Sequence, residues 1–219
     1  MNDKMTGLIV TGGQMDLEFA GLYLKNQTFD KVIAVDGGLA AIKRLALVPD
    51  CIVGDFDTVS PEILEEYVNH PGITWDVHKP EKDETDTELA INTAIKIGCT
   101  EVVILGATGG RMDHCIGNIH LLYACVQQGV QGSIIDEKNR ITILRGSRSF
   151  HAGEVWGKYI SFLPLTEEVK GITLTGFKYP LTMKDISIGT SLCISNELVE
   201  ETGTITFTSG VLICVESHD

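Results

Sequence analysis

Two aspartates stand one residue apart in Val53-Gly54-Asp55-Phe56-Asp57-Thr58, directly after the apolar run Cys51-Ile52-Val53. Carboxylates that close repel one another, which raises a pKa or costs stability unless a cation neutralises them. Hard oxygen donors without histidine or cysteine beside them suit Mg²⁺, which takes one or two carboxylates and keeps waters and phosphate oxygens. A third acid, Asp86, follows in "HKPEKDETD" together with Lys79, Lys82 and Asp83. Further on, "GATGGRMDH" carries Thr108, Gly109, Gly110, Arg111, Asp113 and His114. Gly109 and Gly110 let a ligand approach the backbone, and a helix beginning there offers free N–H groups to phosphate. Arg111 can grip phosphate oxygens as charge shifts. Asp36, in Asp36-Gly37-Gly38, is an acid suited to a sugar hydroxyl. Metal, polyphosphate and sugar together suggest phosphoryl-type transfer from a nucleotide.

Each feature has an ordinary explanation by itself. Asp-Gly-Gly is a turn sequence, Asp83 a helix N-cap, Asp86 a first-turn carboxylate, and Arg111 and Asp113 partners for each other. What joins them is the order of elements. Short, apolar, β-branched segments at 7–10, 31–35, 51–53, 73–77, 101–105 and 132–135 read as strands. Helical spacing fills 17–25, 39–47, 61–68, 86–97 and 112–128, with Ser60-Pro61 as N-cap and first helical position. Such alternation predicts crossover units and a mostly parallel sheet buried on both faces. Ligands of open parallel sheets gather at the carboxyl ends of the strands, near a reversal of strand order. Thr11-Gly12-Gly13, Asp36, Asp55, Asp57, the "HKPEKDETD" loop and "GATGGRMDH" all follow strands, so one rim collects them.

After Asn139 the pattern changes. Segments 140–145, 159–163, 171–175, 190–195, 204–208 and 211–215 are β-rich and separated by Gly, Pro, Asn or Ser, with no helical stretch between. The predicted architecture is a Rossmann-like α/β domain followed by an all-β sandwich. The boundary falls near 137–140, dividing residues 1–138 from 139–219. The chain has 219 residues, 43% hydrophobic and 21% charged, the balance of a globular protein rather than a membrane one. Its start, "MNDKMTGLIV", reads as no secretory signal. Six scattered cysteines without a Cys-x-x-Cys pair argue against structural zinc or a disulfide framework and suit reduced core residues in the cytoplasm. A net charge of −13 argues against nucleic-acid binding while admitting one anionic small molecule if cations intervene.

The ordered series "VDGGL", "VGDFDT", "KDETDTELA", "GATGGRMDH" and the tail "GTSLCISNE" resembles the thiamine pyrophosphokinase family, over nearly the whole chain. The resemblance implies a catalytic α/β domain, a C-terminal β-sandwich, and a homodimer with active sites between subunits. It implies transfer of the terminal diphosphate of ATP to the hydroxyethyl group of thiamine, giving thiamine diphosphate and AMP. By motif position Asp55, Asp57 and Asp86 would hold Mg²⁺. Asp36, Lys82, Asp83, Thr108, Gly109, Gly110, Arg111, Asp113 and His114 would line the nucleotide and transfer site, with Asp113 a candidate proton acceptor. Ser195 and Asn196 would contact thiamine; without the resemblance they read as a turn. Eukaryotic members tend to carry a tryptophan in the last strand, where this chain reads "VLICV" and offers Ile213. Two other readings stand beside this one. Asp55-Phe56-Asp57-Thr58 also resembles the Asp-x-Asp-Thr of haloacid-dehalogenase phosphatases, although their later pair of acids has no counterpart here. A non-catalytic nucleotide-binding protein is the third.

Overall fold

The structure is a computed structural model and describes residues 4–57, 59–79 and 83–219. Thr58 and Lys82 of the motifs above lie outside the described residues. The chain forms two compact units, Met1–Glu137 and Lys138–Asp219.

The first unit alternates strand and helix: β1 (Thr6–Val10), α1 (Leu17–Lys25), β2 (Lys31–Val35), α2 (Gly38–Arg44), β3 (Cys51–Gly54) and α3 (Pro61–Val68). Then come β4 (Thr74–Val77), α4 (Asp86–Ile97), β5 (Glu101–Leu105), α5 (Met112–Gln127) and β6 (Gln131–Ile135). The strands pair in parallel in the order β4-β3-β2-β1-β5-β6. Leu8, Ile9, Ile33, Ile52, Ile104 and Ile134 are fully buried, as strands covered by helices on both faces require. The chain steps outward from β1 to β4, then returns to place β5 on β1's other side. This reversal leaves a crevice beyond the carboxyl ends of β1, β2 and β5.

Local chemistry sets the helix ends. Asp16 caps α1 by accepting the Phe19 N–H at 2.9 Å. Thr85, rather than the expected Asp83, caps α4 by accepting the Glu88 N–H at 3.3 Å. That puts Asp86 at the first helical position. Helix α2 stops at Arg44, short of the expected residue 47, because the chain turns through a left-handed step at Ala46 (φ 54°).

The second unit contains β7 (Asn139–Leu144), β8 (Arg148–His151), β9 (Tyr159–Pro164), β10 (Glu168–Thr175), β11 (Leu181–Ser187), β12 (Thr202–Thr206) and β13 (Leu212–Ser217). Strand β13 lies antiparallel between β7 and β9. A second antiparallel sheet has the order β11-β10-β12-β8. The two sheets form a sandwich over a core of Ile172, Leu174, Ile205, Leu212 and a triangle of Phe150, Phe162 and Phe177. The rings meet edge to face at 5.7, 6.0 and 5.9 Å. Within this unit Glu216 is completely buried, its carboxylate accepting from Arg140, Arg148 and the Trp156 N–H.

The expected strand at 190–195 is instead a run of turns, with the Thr190 N–H donating to Ser187 and the Ile194 N–H to Ser191. The strand lies earlier, at β11, which the sequence pattern conceals. It is a sheet-edge strand with Thr182, Met183, Lys184 and Asp185 all exposed, so it lacks an apolar alternation. Among the described residues no helix is long and apolar enough to cross a membrane.

Candidate active site

A cavity of about 790 Å³ opens at the switch point of the first unit. Its walls are Thr11–Gln14 after β1, Asp36 and Gly37 after β2, and Asp55 after β3, with Glu84–Thr87 at the start of α4. Gly106–Arg111 after β5, with His114 and Asn118 of α5, complete it. Backbone crowding explains the glycines. A Cβ on Gly13 would sit 2.1 Å from the Gly106 carbonyl oxygen, so only glycine lets the β1 and β5 loops touch. Gly109 takes φ 79°, and a Cβ there would also strike Gln14 at 2.9 Å. Side chains hold the loop from behind. Thr108 donates through Oγ1 to Asp136 at 2.7 Å, and Asn118 donates through Nδ2 to the Ala107 carbonyl at 2.9 Å. The loop is thereby fixed where it enters α5, whose first-turn N–H groups have no helical acceptor.

Three acids meet on this rim. Asp36, Asp55 and Asp57 each offer a carboxylate oxygen lying within 4.8 Å of the others. Asp36 reaches its place through φ 44°, with its N–H donating to the Val53 carbonyl at 2.9 Å. In an extended segment Asp55 and Asp57 would point to the same side, whereas their neighbour Phe56 would point away. Here Phe56 adopts φ 64°, a left-handed step costing about 1–2 kcal/mol for a side chain of this kind. Its ring meets Trp75 of β4 edge to face at 5.2 Å, a contact worth about 0.5–1.5 kcal/mol that offsets much of that cost. The Asp57 N–H donates to Asp55 Oδ1 at 3.3 Å, closing the turn.

Crowding has an electrostatic signature. The Asp57 carboxyl is raised above the usual range chiefly by the charge of Asp55, with desolvation, Asp36 and Asp86 adding to it. Carboxylates that resist ionising together, on hard oxygen donors, are the donor chemistry that a divalent cation such as Mg²⁺ relieves. Asp86 lines the same cavity but falls outside the 4.8 Å group. The expected trio was Asp55, Asp57 and Asp86; the tight group contains Asp36 instead.

At the opposite lip, Arg111 donates to Asp113 twice, from Nε at 3.1 Å and Nη2 at 2.6 Å. The Asp113 carboxylate also accepts the His114 N–H at 3.0 Å. The Arg111 hydrogen bonds come first among the causes that push the Asp113 carboxyl down to about 2. A carboxylate so stabilised is a poor proton acceptor. Arg111 and His114 line the cavity; Asp113 and the exposed Asp83 do not.

The remaining candidates lie in the second unit. Ser195 is exposed at φ 56°, its N–H donating to Ser161 Oγ at 2.9 Å. Asn196 is only 3% exposed. Its Oδ1 accepts from Tyr179 and Glu197 N–H, both at 3.0 Å, and its Nδ2 donates to the Tyr179 carbonyl at 2.9 Å. That carboxamide fastens two chain segments together. Ile213 is half-buried in β13. Gln14, Glu84 and Asn118 line the cavity unforeseen, since a lone polar residue carries no spacing signal. Trp75 of β4 supports the acidic turn through its contact with Phe56.

Comparison with known proteins agrees with the architecture. The model of the thiamin pyrophosphokinase catalytic domain matches residues 22–134, and that of the thiamin pyrophosphokinase vitamin B1 binding domain matches 140–212. Thiamine pyrophosphokinase of Bacillus subtilis is 37% identical over 187 residues, 85% of this chain and 87% of the relative. A crystal structure of thiamine pyrophosphokinase from Bacillus subtilis superposes with TM-score 0.88 at 34% identity, covering 98% of this chain and 99% of that one. One of thiamin pyrophosphokinase from Geobacillus thermodenitrificans gives 0.85 at 33%, covering 98% of each. Catalytic and vitamin-binding models of one family thus meet on one chain, which belongs to the thiamin pyrophosphokinase family.

Proposed function

We propose that this protein transfers a diphosphate from ATP to the hydroxyl of thiamine, releasing AMP. The thiamine oxygen forms a bond to the β-phosphorus, the bond to the bridging oxygen on the α-phosphate breaks, and that oxygen leaves with AMP. The proton of the hydroxyl passes to solvent or a nearby acceptor. One observation carries the reading: three carboxylates lie within 4.8 Å of one another, and two of them, Asp36 and Asp55, line a cavity with a glycine loop that opens a helix. Acids alone would repel a polyphosphate, and a glycine loop alone would bind any phosphate; together they suit a metal–nucleotide complex.

Asp55 and Asp57, with Asp36 beside them and Asp86 facing the same space, are the residues proposed to hold Mg²⁺. Such an ion, when bound, supplies positive charge to the phosphate oxygens of the nucleotide. Gly109, Gly110 and the first turn of α5 cradle the phosphates, with Thr108 keeping that loop in shape and His114 at its edge. Lys82 and Asp83 are assigned to the nucleotide side. Arg111 grips phosphate oxygens, and Asp113 holds its guanidinium at the lip through two hydrogen bonds. A primary alcohol is a weak nucleophile, so holding it in line and neutralising the departing charge supply most of the acceleration. Thiamine contact is assigned to the second unit, where Ser195 offers an exposed hydroxyl and Asn196 fixes the turn that presents it. A homodimer is the assembly proposed, on the strength of the family resemblance.

The test is incubation with ATP, Mg²⁺ and thiamine, followed by identification of the nucleotide released. AMP in equal amount to thiamine diphosphate is expected. ADP without AMP rejects diphosphate transfer, and a trapped phosphoryl group on Asp55 favours the phosphatase reading instead.

A further inference from the structure

We propose that the packing of Phe56 against Trp75 is the positioning device that sets Asp55 and Asp57 into one cation-binding group. The claim rests on the reading of those acids as cation ligands. Phe56 stands between them at φ 64°, a conformation that glycine or asparagine takes far more readily than a bulky aromatic residue. Backbone preference therefore does not account for a phenylalanine at this point. Its ring does: the centroid lies 5.2 Å from that of Trp75 with the planes at 77°.

The surroundings make the contact a clamp. Strand β4 is the outer strand beside β3, with Trp75 directly opposite Ile52 and Val77 opposite Gly54. The His78 N–H then donates to the Gly54 carbonyl at 3.1 Å, so β4 grips β3 up to the residue before Asp55. Beyond that point β3 is no longer paired, and the Phe56 ring reaches back onto the same outer strand. On the inner side the Asp36 N–H donates to the Val53 carbonyl at 2.9 Å. The acidic turn is thus held by backbone on the β2 side and by an aromatic ring on the β4 side. Neither a phenyl ring nor an indole N–H can ligate a hard cation, so Phe56 and Trp75 act by holding the acids in place. Loss of the ring contact releases the left-handed step, and Asp57 departs from Asp55 and Asp36.

Binding of Mn²⁺ alone to the full chain, followed by the electron paramagnetic resonance of the free ion, tests this. Phe56→Ala and Trp75→Ala are each expected to weaken Mn²⁺ binding about tenfold, the factor such an aromatic pair is worth. The double variant is expected to lose no more than either single one, as two halves of one contact do. Phe56→Tyr, which retains the ring, should bind as the unaltered protein does. In turnover, the Mg²⁺ concentration giving half-maximal rate should rise by the same factor in the alanine variants while the thiamine KM stays within about twofold. Where an alanine variant does not fold, Phe56→Leu and Trp75→Leu make the same comparison. Folded variants that bind Mn²⁺ as tightly as the unaltered protein, or a double variant with additive losses, overturn the positioning role and leave the cation reading intact. No Mn²⁺ binding by the unaltered protein overturns the cation reading and this proposal with it.

Discussion

Replacing Asp57 by asparagine removes one charge from the group of Asp36, Asp55 and Asp57 at nearly constant volume. Because the crowding of like charges already raises the Asp57 carboxyl, the substitution relieves repulsion and should leave the fold at least as stable. Turnover, by contrast, should fall about 10²–10³-fold at saturating Mg²⁺, the scale of losing one preorganised electrostatic group. Wild-type turnover in a folded Asp57→Asn protein would remove this residue from the site. Asp113 poses a question that magnitude answers. A general base deleted costs about 10²–10⁴-fold, whereas a residue that only steadies a guanidinium costs far less. With its carboxyl at about 2, Asp113 belongs to the second kind. Asp113→Asn should lower kcat/KM for ATP about tenfold through loss of a charge-assisted pair. A thousandfold fall in kcat would restore it as the proton acceptor.

At the scale of elements, the turn that carries Ser195 depends on the carboxamide of Asn196. Asn196→Ala leaves the part-buried N–H groups of Tyr179 and Glu197 without their acceptor, at an expected cost of about 1–2 kcal/mol. Thermal unfolding of the second unit should move down accordingly, and any rise in the thiamine KM should accompany that loss rather than occur without it. An unchanged midpoint with a raised thiamine KM would instead make Asn196 a direct ligand. The loop after β5 shows the converse economy of sequence. Glycines mark it plainly, yet the side chains that brace it, Thr108 on Asp136 and Asn118 on Ala107, come from residues 28 and 11 positions away from their partners. The glycines announce a ligand-bearing loop; only packing reveals what stiffens it.

At the scale of the whole molecule, charge and burial make two further expectations. With a formal charge of −13, the chain attracts a cationic substrate and repels an anionic one over distances that salt screens. Raising ionic strength should lower kcat/KM for thiamine relative to that for the nucleotide; a ratio independent of salt would deny any such steering. All six cysteines are free, five of them buried and Cys115 half-buried on α5. Burial pushes the thiols of Cys51 and Cys125 from 9.0 up to about 11. Cys214 rises to about 12 by the same cause. Because the folded pKa values are raised, the stability tied to these neutral thiols is complete below pH 9 and drains away as pH rises towards 11–12. A thiol reagent at pH 8 should therefore modify Cys115 first and the others only on unfolding. Rapid modification of several thiols in the folded protein would contradict the core. Hydrophobic period and glycine placement, which are local properties, by themselves determined the alternating first unit, the β-rich second unit and the rim where the acids stand. The exchange of Asp36 for Asp86 in the tight group, the clamp of Phe56 on Trp75, the internal use of Asn196 and the edge strand β11 were decided only by tertiary structure. Each depends on which strand lies beside which, and on left-handed backbone steps at Asp36, Phe56 and Ser195 that no residue type there favours enough to reveal.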